Sequence, residues 1–479
     1  MAKEKKKRSL LRRILRGLKW TVLLALVMSL VSAYAPFARL PGLSDENAAR
    51  VEARAEEMMH DQATGDRAMI IEESADALYE RIRLIQQARR EIVIVTYENH
   101  DGESTRDVLA AALERAKGGV KVRFLVDGIA GRLDLMGGDL FRAVACHPNV
   151  EVRFYNLLGL LTPWRDMGRM HDKYVIVDDL AYILGGRNMF DKFLGEYITT
   201  NRSLDREALI YCPDGEHTSL TQLRSYFEGM WNGDDTTVFE SSHRISDERC
   251  QAVYDELARR LESLRQTRPE LFEPCDYAER TVPTQGVWLV SNPTGIYAKE
   301  PVVFAQITAL MRRAKKDVSI HSPYAVLNDY MLNTLREVAS RVPVTLMVNA
   351  VENGANLVAS GDYLYHRNEV LSTGATVLEY AGGKSYHGKA AAIDDDLSVI
   401  GSFNMDLRSA YIDTELMLVI RSPEINAELR RYMDALHADC REANSGRVPP
   451  GLTVPDCPLW KRAALYLIGA LMQPIRNLV

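Results

Sequence analysis

A chain of 479 residues with 47% hydrophobic content is long enough for two packed domains plus extensions, which excludes a disordered or fibrous protein. The formal charge of −6 is unevenly spread: the first nineteen residues hold nine Lys or Arg and one acid, a lead of +8 that leaves −14 for the rest. An acidic body argues against a general nucleic-acid surface, because phosphate backbones are held mainly by Lys and Arg.

After the basic lead comes an apolar run from Trp20 to Ala35. It reads as a single uncleaved signal anchor, since Pro36 follows the cleavage-like Ala33-Tyr34-Ala35. The positive flank then predicts a cytosolic N-terminus with the body outside the cytosol. Six scattered cysteines show no zinc spacing, so neither a metal nor a cofactor is expected. In an extracytosolic body, disulfides such as Cys250/Cys275 or Cys440/Cys457 stay open alongside free thiols.

The same order of elements occurs twice. In the first copy, EIVIVTY (91–97) reads as a buried strand and STRDVLAAALERAKGG (104–119) as a helix capped by Ser104 and stopped by Gly118-Gly119. VKVRFLVD (120–127) and VEVRFYN (150–156) follow as strands. In the second copy, DVSIHSPY (317–324) is a strand, NDYMLNTLREVAS (328–340) a helix, and VPVTLMVN (342–349) and ATVLEYA (375–381) strands. Alternating strands and helices predict two pseudo-symmetric α/β halves with mostly parallel sheets covered by helices. The expected division is 1–40 as lead and anchor, 41–212 as first half, 213–283 as a largely helical connector, 284–445 as second half and 446–479 as tail. Within the tail, AALYLIGALM (463–472) is too short to span a bilayer and reads equally as a core-docked or an interfacial helix.

Each copy ends in H-x-K-x4-D-x6-G-[GS]-x-N. The first supplies His171, Lys173, Asp178, Gly185, Gly186 and Asn188; the second supplies His387, Lys389, Asp394, Gly401, Ser402 and Asn404. Residues two apart on a strand share a face, so each His and Lys project toward one pocket, whereas the Asp seven positions on points the other way and reads as a structural tie. Downstream, Asp205-Arg206-Glu207 and Asp413-Thr414-Glu415 offer carboxylates to fix each imidazole through Nδ1. Glu207 and Glu415 are the expected partners, because each directly precedes an apolar run. A lone H-x-K is more often an ordinary surface or core histidine; two complete copies at matching points are not. Such a set suits phosphodiester exchange. One imidazole attacks phosphorus, the other moves the proton, and Lys173, Lys389, Asn188 and Asn404 hold the non-bridging oxygens.

The paired motifs resemble the phospholipase D superfamily over roughly residues 70–440. RMHDKYVIVDDLAYILGGRNMFDKFLG (169–195) and HGKAAAIDDDLSVIGSFNMDLRSAYIDTE (387–415) are most similar to bacterial cardiolipin synthases of the C-type branch. The resemblance implies an active site shared between the halves and a covalent phosphatidyl-histidine, with His171 as nucleophile and His387 as acid/base. Asp178 and Asp394 complete the signature. It further implies phosphatidyl transfer onto phosphatidylglycerol or phosphatidylethanolamine at a cell membrane. With both motifs in one chain, the site requires no dimer. A phospholipase D releasing phosphatidic acid is the alternative; a nucleic-acid phosphodiesterase or a non-catalytic scaffold fits less well.

Overall fold

The computed structural model describes residues 2–60, 65–131, 138–159, 161–215, 218–239, 245–354, 356–454 and 456–479. The first half contributes β1 (Arg67–Ile71), β2 (Glu91–Thr96), β3 (Lys121–Asp127), β4 (Val150–Tyr155), β5 (Tyr174–Val177), β6 (Ala181–Gly185), β7 (Ser203–Leu204) and β8 (Glu207–Tyr211). The 213–283 segment adds β9 (Thr236–Val238) and β10 (Val282–Pro283). The second half contributes β11 (Gly286–Ser291), β12 (Val318–His321), β13 (Val344–Asn349), β14 (Thr376–Tyr380), β15 (Ser385–Tyr386), β16 (Ala390–Ile393), β17 (Leu397–Gly401), β18 (Leu416–Arg421) and β19 (Cys440–Glu442).

One nine-stranded sheet runs β10-β1-β8-β6-β5-β2-β3-β4-β9, and an eight-stranded sheet runs β11-β18-β17-β16-β12-β13-β14-β19. Leaving out β10, the two orders match strand for strand, so the sequence repeat is also a spatial one. The α/β class holds, but the sheets are less parallel than expected. Within the two large sheets, among the described residues, only β2-β3-β4 and β12-β13-β14 pair in parallel, through crossover helices. The strands after each H-x-K form tight antiparallel hairpins, β5-β6 and β16-β17, and a three-residue turn in each leaves no length for a crossover.

The 213–283 segment is built onto the first half. Its strands β9 and β10 close the two edges of the first sheet, and its helix Asp247–Thr267 packs on the helices Glu103–Lys117 and Asp139–Ala145. Helix Glu103–Lys117 starts one residue before the predicted start, and Ser104 is not its cap. The Asp191 carboxylate instead accepts from the backbone N–H groups of Glu103 and Ser104 and from the Ser104 hydroxyl, satisfying the first-turn donors from outside the helix. All six cysteines are unbridged, and Cys250 lies beside Cys146 rather than Cys275.

The sheets face each other across a shared core. Ile176, Tyr182, Leu184 and Ile210 of the first meet Leu289, Ile400, Leu416 and Leu418 of the second, all at most 4% exposed. At about 1.5–3 kcal/mol for each large apolar side chain buried, this face fixes how the halves sit. At its rim, β7 pairs in parallel with β15, a backbone link from one half to the other.

The helix Ala2–Tyr34 stands apart from this core. The stretch Arg13–Phe37 has the length and composition to cross a membrane; no residue from Arg13 to Pro36 is buried in protein, and Phe37 plugs the end of the stretch into the core of the second half.

Candidate active site

Each H-x-K lies just ahead of a short strand at the rim where the sheets meet, and the strand's far end is tied down. Asp178 ends β5 with φ +47°, and its carboxylate accepts from the N–H groups of Arg89, Arg90 and Glu91 at 2.7–2.9 Å. Asp394 ends β16 with φ +48° and accepts from Lys315, Lys316 and Asp317. Asp tolerates this left-handed turn conformation better than most residues. Both aspartates therefore sit at the opposite strand end from the histidines, away from the cavity.

The His loops are held by the opposite half. His171 N–H donates to Thr414 Oγ1 at 3.2 Å, and Thr414 N–H donates to the Arg169 carbonyl at 2.9 Å. His387 N–H donates to the Leu204 carbonyl at 2.7 Å. The side chains cross over as well. His171 Nδ1 lies 2.8 Å from Glu415 Oε1, and His387 Nδ1 lies 2.6 Å from Asp205 Oδ2. Both acids are fully buried, while the imidazoles keep 13% and 16% exposure. With Nδ1 engaged, Nε2 of His171 is left for the cavity, while Nε2 of His387 also has Lys389 Nζ at 3.1 Å.

Glu207, the expected partner in the first half, does not reach a histidine. Its carboxylate forms a buried fork with Arg81 and touches Arg187 at 3.5 Å. The reason is register. Gly185 pairs with Glu207 in the first sheet, but Gly401 pairs with Met417 in the second, so the position equivalent to Glu415 is Asp205. A slip of two residues keeps side chains on the same face, so alternation does not betray it. The loop from Gly185 to Asp205 is also six residues longer than that from Gly401 to Glu415, which hides the match from counting. Gly186 records the true partner: a Cβ there would stand 2.3 Å from Asp205 Oδ1. In the second half Ser402 occupies that place and its hydroxyl donates to Glu415, as does Ser409 at 2.6 Å.

Both lysines are buried. Lys389 Nζ lies 2.8 and 3.1 Å from the two ring nitrogens of His387 and bonds the His387 carbonyl. Lys173 Nζ bonds the His171 carbonyl and sits 5.2 Å from the centre of the Tyr97 ring. A cavity of about 290 Å³ collects His171, His387, Asn188 and Asn404, and its wall includes Tyr97, Glu98, Lys192 and Phe193, none of which spacing singled out. Asn188 Nδ2 is 3.2 Å from Glu98, whereas Asn404 Oδ1 is buried without a partner.

Burial, followed by the charges of Lys173 and Lys389, holds the His171 imidazole well below its ordinary pKa. Burial and Lys389 bring His387 down to about 3. Burial lowers Lys173 to about 8 and Lys389 to about 7. The two acids diverge. Burial raises Glu415 to about 8, while for Asp205 burial is outweighed by Lys389 and His387 and the group falls below the usual carboxylate range. Two neutral imidazoles thus line the cavity, with Lys173 and Lys389, of reduced basicity, buried beside them rather than in its wall, a set that favours an anion.

Comparison with known proteins places the chain in a family. The family profile described as "Cardiolipin synthase, PLD-like domain" matches residues 81–231 and 307–437. Cardiolipin synthase C of Escherichia coli (strain K12) is 26% identical over 390 residues, covering 74% of this chain and 80% of that protein. Cardiolipin synthase B of Salmonella typhi is 26% identical over 389 residues, covering 79% and 82%. The crystal structure of phosphatidylserine synthase from Haemophilus influenzae superposes with a TM-score of 0.60 at 16% identity, covering 89% of this chain and all of that one, which is a likeness of fold. With more than half of its length matched and both histidine–lysine motifs in place, the chain belongs to the cardiolipin synthase, PLD-like domain family and is an enzyme of the phosphatidyltransferase class.

Proposed function

We propose that this chain moves a phosphatidyl group from one phospholipid to the alcohol of another, with phosphatidylglycerol as the main acceptor and phosphatidylethanolamine a further one. The observation that carries the reading is the pair of imidazoles lining one cavity, each tied at Nδ1 to a buried acid of the opposite half and each followed by a buried lysine. His171 Nε2 attacks phosphorus, the P–O bond to the leaving alcohol breaks, and His387 Nε2–H gives that oxygen its proton. The acceptor hydroxyl then passes its proton to His387 Nε2 as its oxygen attacks phosphorus and the P–N bond to His171 breaks. Lys173, Lys389, Asn188 and Asn404 hold the non-bridging oxygens, where charge builds in the transition state.

The depressed histidine pKa values fit this cycle. In the empty site both rings are neutral, which suits the nucleophile. Burial and then the Lys389 charge depress His387 in the empty site, and a bound phosphodiester offsets the second of these, which favours the protonated general acid. Glu415 and Asp205 hold the rings in the tautomer that presents Nε2. Asp178 and Asp394 act at a distance, by fixing the strand ends. The Arg13–Phe37 helix anchors the enzyme in the cell membrane, with the body on the extracytosolic side.

Water competes with the lipid alcohol, so the product decides the reading. Protein reconstituted in phosphatidylglycerol vesicles is expected to yield cardiolipin and glycerol. Phosphatidic acid as the dominant product in intact vesicles replaces the transferase with a hydrolase.

A further inference from the structure

The C-terminal helix Leu459–Met472 is apolar on two opposite faces, and only one is used inside the protein. Leu465 and Gly469 dock it on helix Leu357–Leu371 so closely that a Cβ on Gly361 would meet the Leu465 carbonyl at 2.7 Å, and one on Gly469 the Gly361 carbonyl at 2.3 Å. At 3.6 residues per turn, Trp460, Leu467 and Leu471 lie within about 40° of one another on the far side. They are 73%, 57% and 68% exposed.

The following turn holds this helix at the exit of the anchor. Arg476 donates to the buried Asp362 carboxylate at 2.8 and 3.0 Å, and Asn477 Nδ2 donates to the carbonyls of Phe37 and Ala38 at 3.0 and 3.1 Å. On another side, the anchor helix lies against the turn Pro163–Arg165. There Leu161 and Trp164 are 89% and 40% exposed, only a few residues before His171. Two apolar surfaces, one from each half, thus adjoin the point where the Arg13–Phe37 segment emerges.

We propose that the Trp460–Leu467–Leu471 face rests in the bilayer interface as a second membrane contact, which with the anchor seats the catalytic cavity against the lipid. This rests on the transferase reading for its purpose but not for its geometry. A bilayer is favoured over a second copy of the chain because the exposed face is fastened to the anchor's exit. Its sequence also sets Trp460 beside Lys461 and Arg462, an amphipathic ring and two cations at headgroup level. The docked partner leads back to the site, since Asn356, which caps helix Leu357–Leu371, lines the cavity. A lipid headgroup therefore has a short, fixed route from membrane to imidazole.

The test uses the full chain in phosphatidylglycerol/phosphatidylcholine vesicles carrying lipids brominated near the headgroup. Trp460 emission, taken as wild type minus Trp460→Phe, is expected to be quenched by the brominated lipid and shielded from aqueous acrylamide. The Leu467→Asp/Leu471→Asp variant is expected to lose about fivefold or more of its vesicle turnover and to keep its turnover on short-chain substrate in detergent micelles. Quenching by acrylamide alone, or shielding from both quenchers together with a dimeric mass, overturns the proposal, as does full vesicle turnover in the double variant. Wild-type protein that is quenched by lipid yet transfers nothing in either medium refutes the transferase reading and leaves the membrane contact standing.

Discussion

The two halves place the same motif at the same point of the same sheet, yet the histidines they present are not equivalent. His171 is backed by Glu415, an acid that burial lifts to about 8 and that two serine hydroxyls already satisfy. His387 is backed by Asp205, held below the usual range by the Lys389 charge and by His387 itself, and its own lysine lies against the ring. A near-neutral acceptor leaves the first ring free to form a bond, whereas a fixed negative charge stabilises the second ring when it takes a proton. The two kits differ at two matching places, Gly186 against Ser402 and Asp205 against Glu415.

Removing either ring is the largest break in that comparison. His171→Ala and His387→Ala are each expected to lower turnover by about 10³-fold or more, because neither half holds both nucleophile and proton carrier. Only His387→Ala should still accumulate a phosphorylated protein from a substrate with an activated leaving group, which rapid-quench labelling detects. Label in His171→Ala and not in His387→Ala reverses the assignment.

The acids come next. Asp205→Asn removes a charge that stabilises protonated His387 and is expected to cost about 10²-fold in kcat. Glu415→Gln replaces a largely neutral acid with its neutral isostere and should cost about tenfold or less at pH 7. Equal losses in steady-state assays would show that the two rings share one electrostatic setting after all.

The lysines set a pH dependence. As pH rises through about 7 to 8, Lys389 and then Lys173 of the empty enzyme lose their protons and their hold on an anionic headgroup. kcat/KM, which reports the free enzyme, is therefore expected to fall across that window. Lys389→Arg stays charged and should move the fall to higher pH; an unchanged profile assigns it to another group.

Gly186→Ser tests the smallest difference. The new Cβ would stand 2.3 Å from Asp205 Oδ1, so the carboxylate has to shift away from His387. A loss of about tenfold in kcat with little change in KM is expected, and Gly186→Ser/Asp205→Glu should recover part of it by rebuilding the second-half arrangement in the first.

Most of the fold was legible because it occurs twice. The strands around 91–97 and 317–324, and the helix after each, were found within a few residues. Pairing direction was not, since the hairpin after each motif depends on a left-handed turn at Asp178 or Asp394 that no periodicity announces. The site was legible to the same extent. His171, His387, Asn188 and Asn404 share one cavity, and Glu415 lies against a histidine, though the histidine is that of the other half. Asp205 was missed for Glu207 because two loops of unequal length conceal a register visible only once Gly185 and Gly401 are paired across the sheets. Tyr97 ends the repeated run EIVIVTY as Tyr324 ends DVSIHSPY, and both line the cavity, though nothing in the histidine spacing points to them.

The exchange of acids between halves also sets a clock. His171 and Glu415 are 244 residues apart in sequence. At about 5–20 residues per second of synthesis, tens of seconds separate the emergence of the first imidazole from that of the carboxylate that orients it. During that interval the His171 imidazole has no carboxylate at Nδ1. Neither histidine–acid pair can exist until both halves are made and packed together, so the site is a late product of folding.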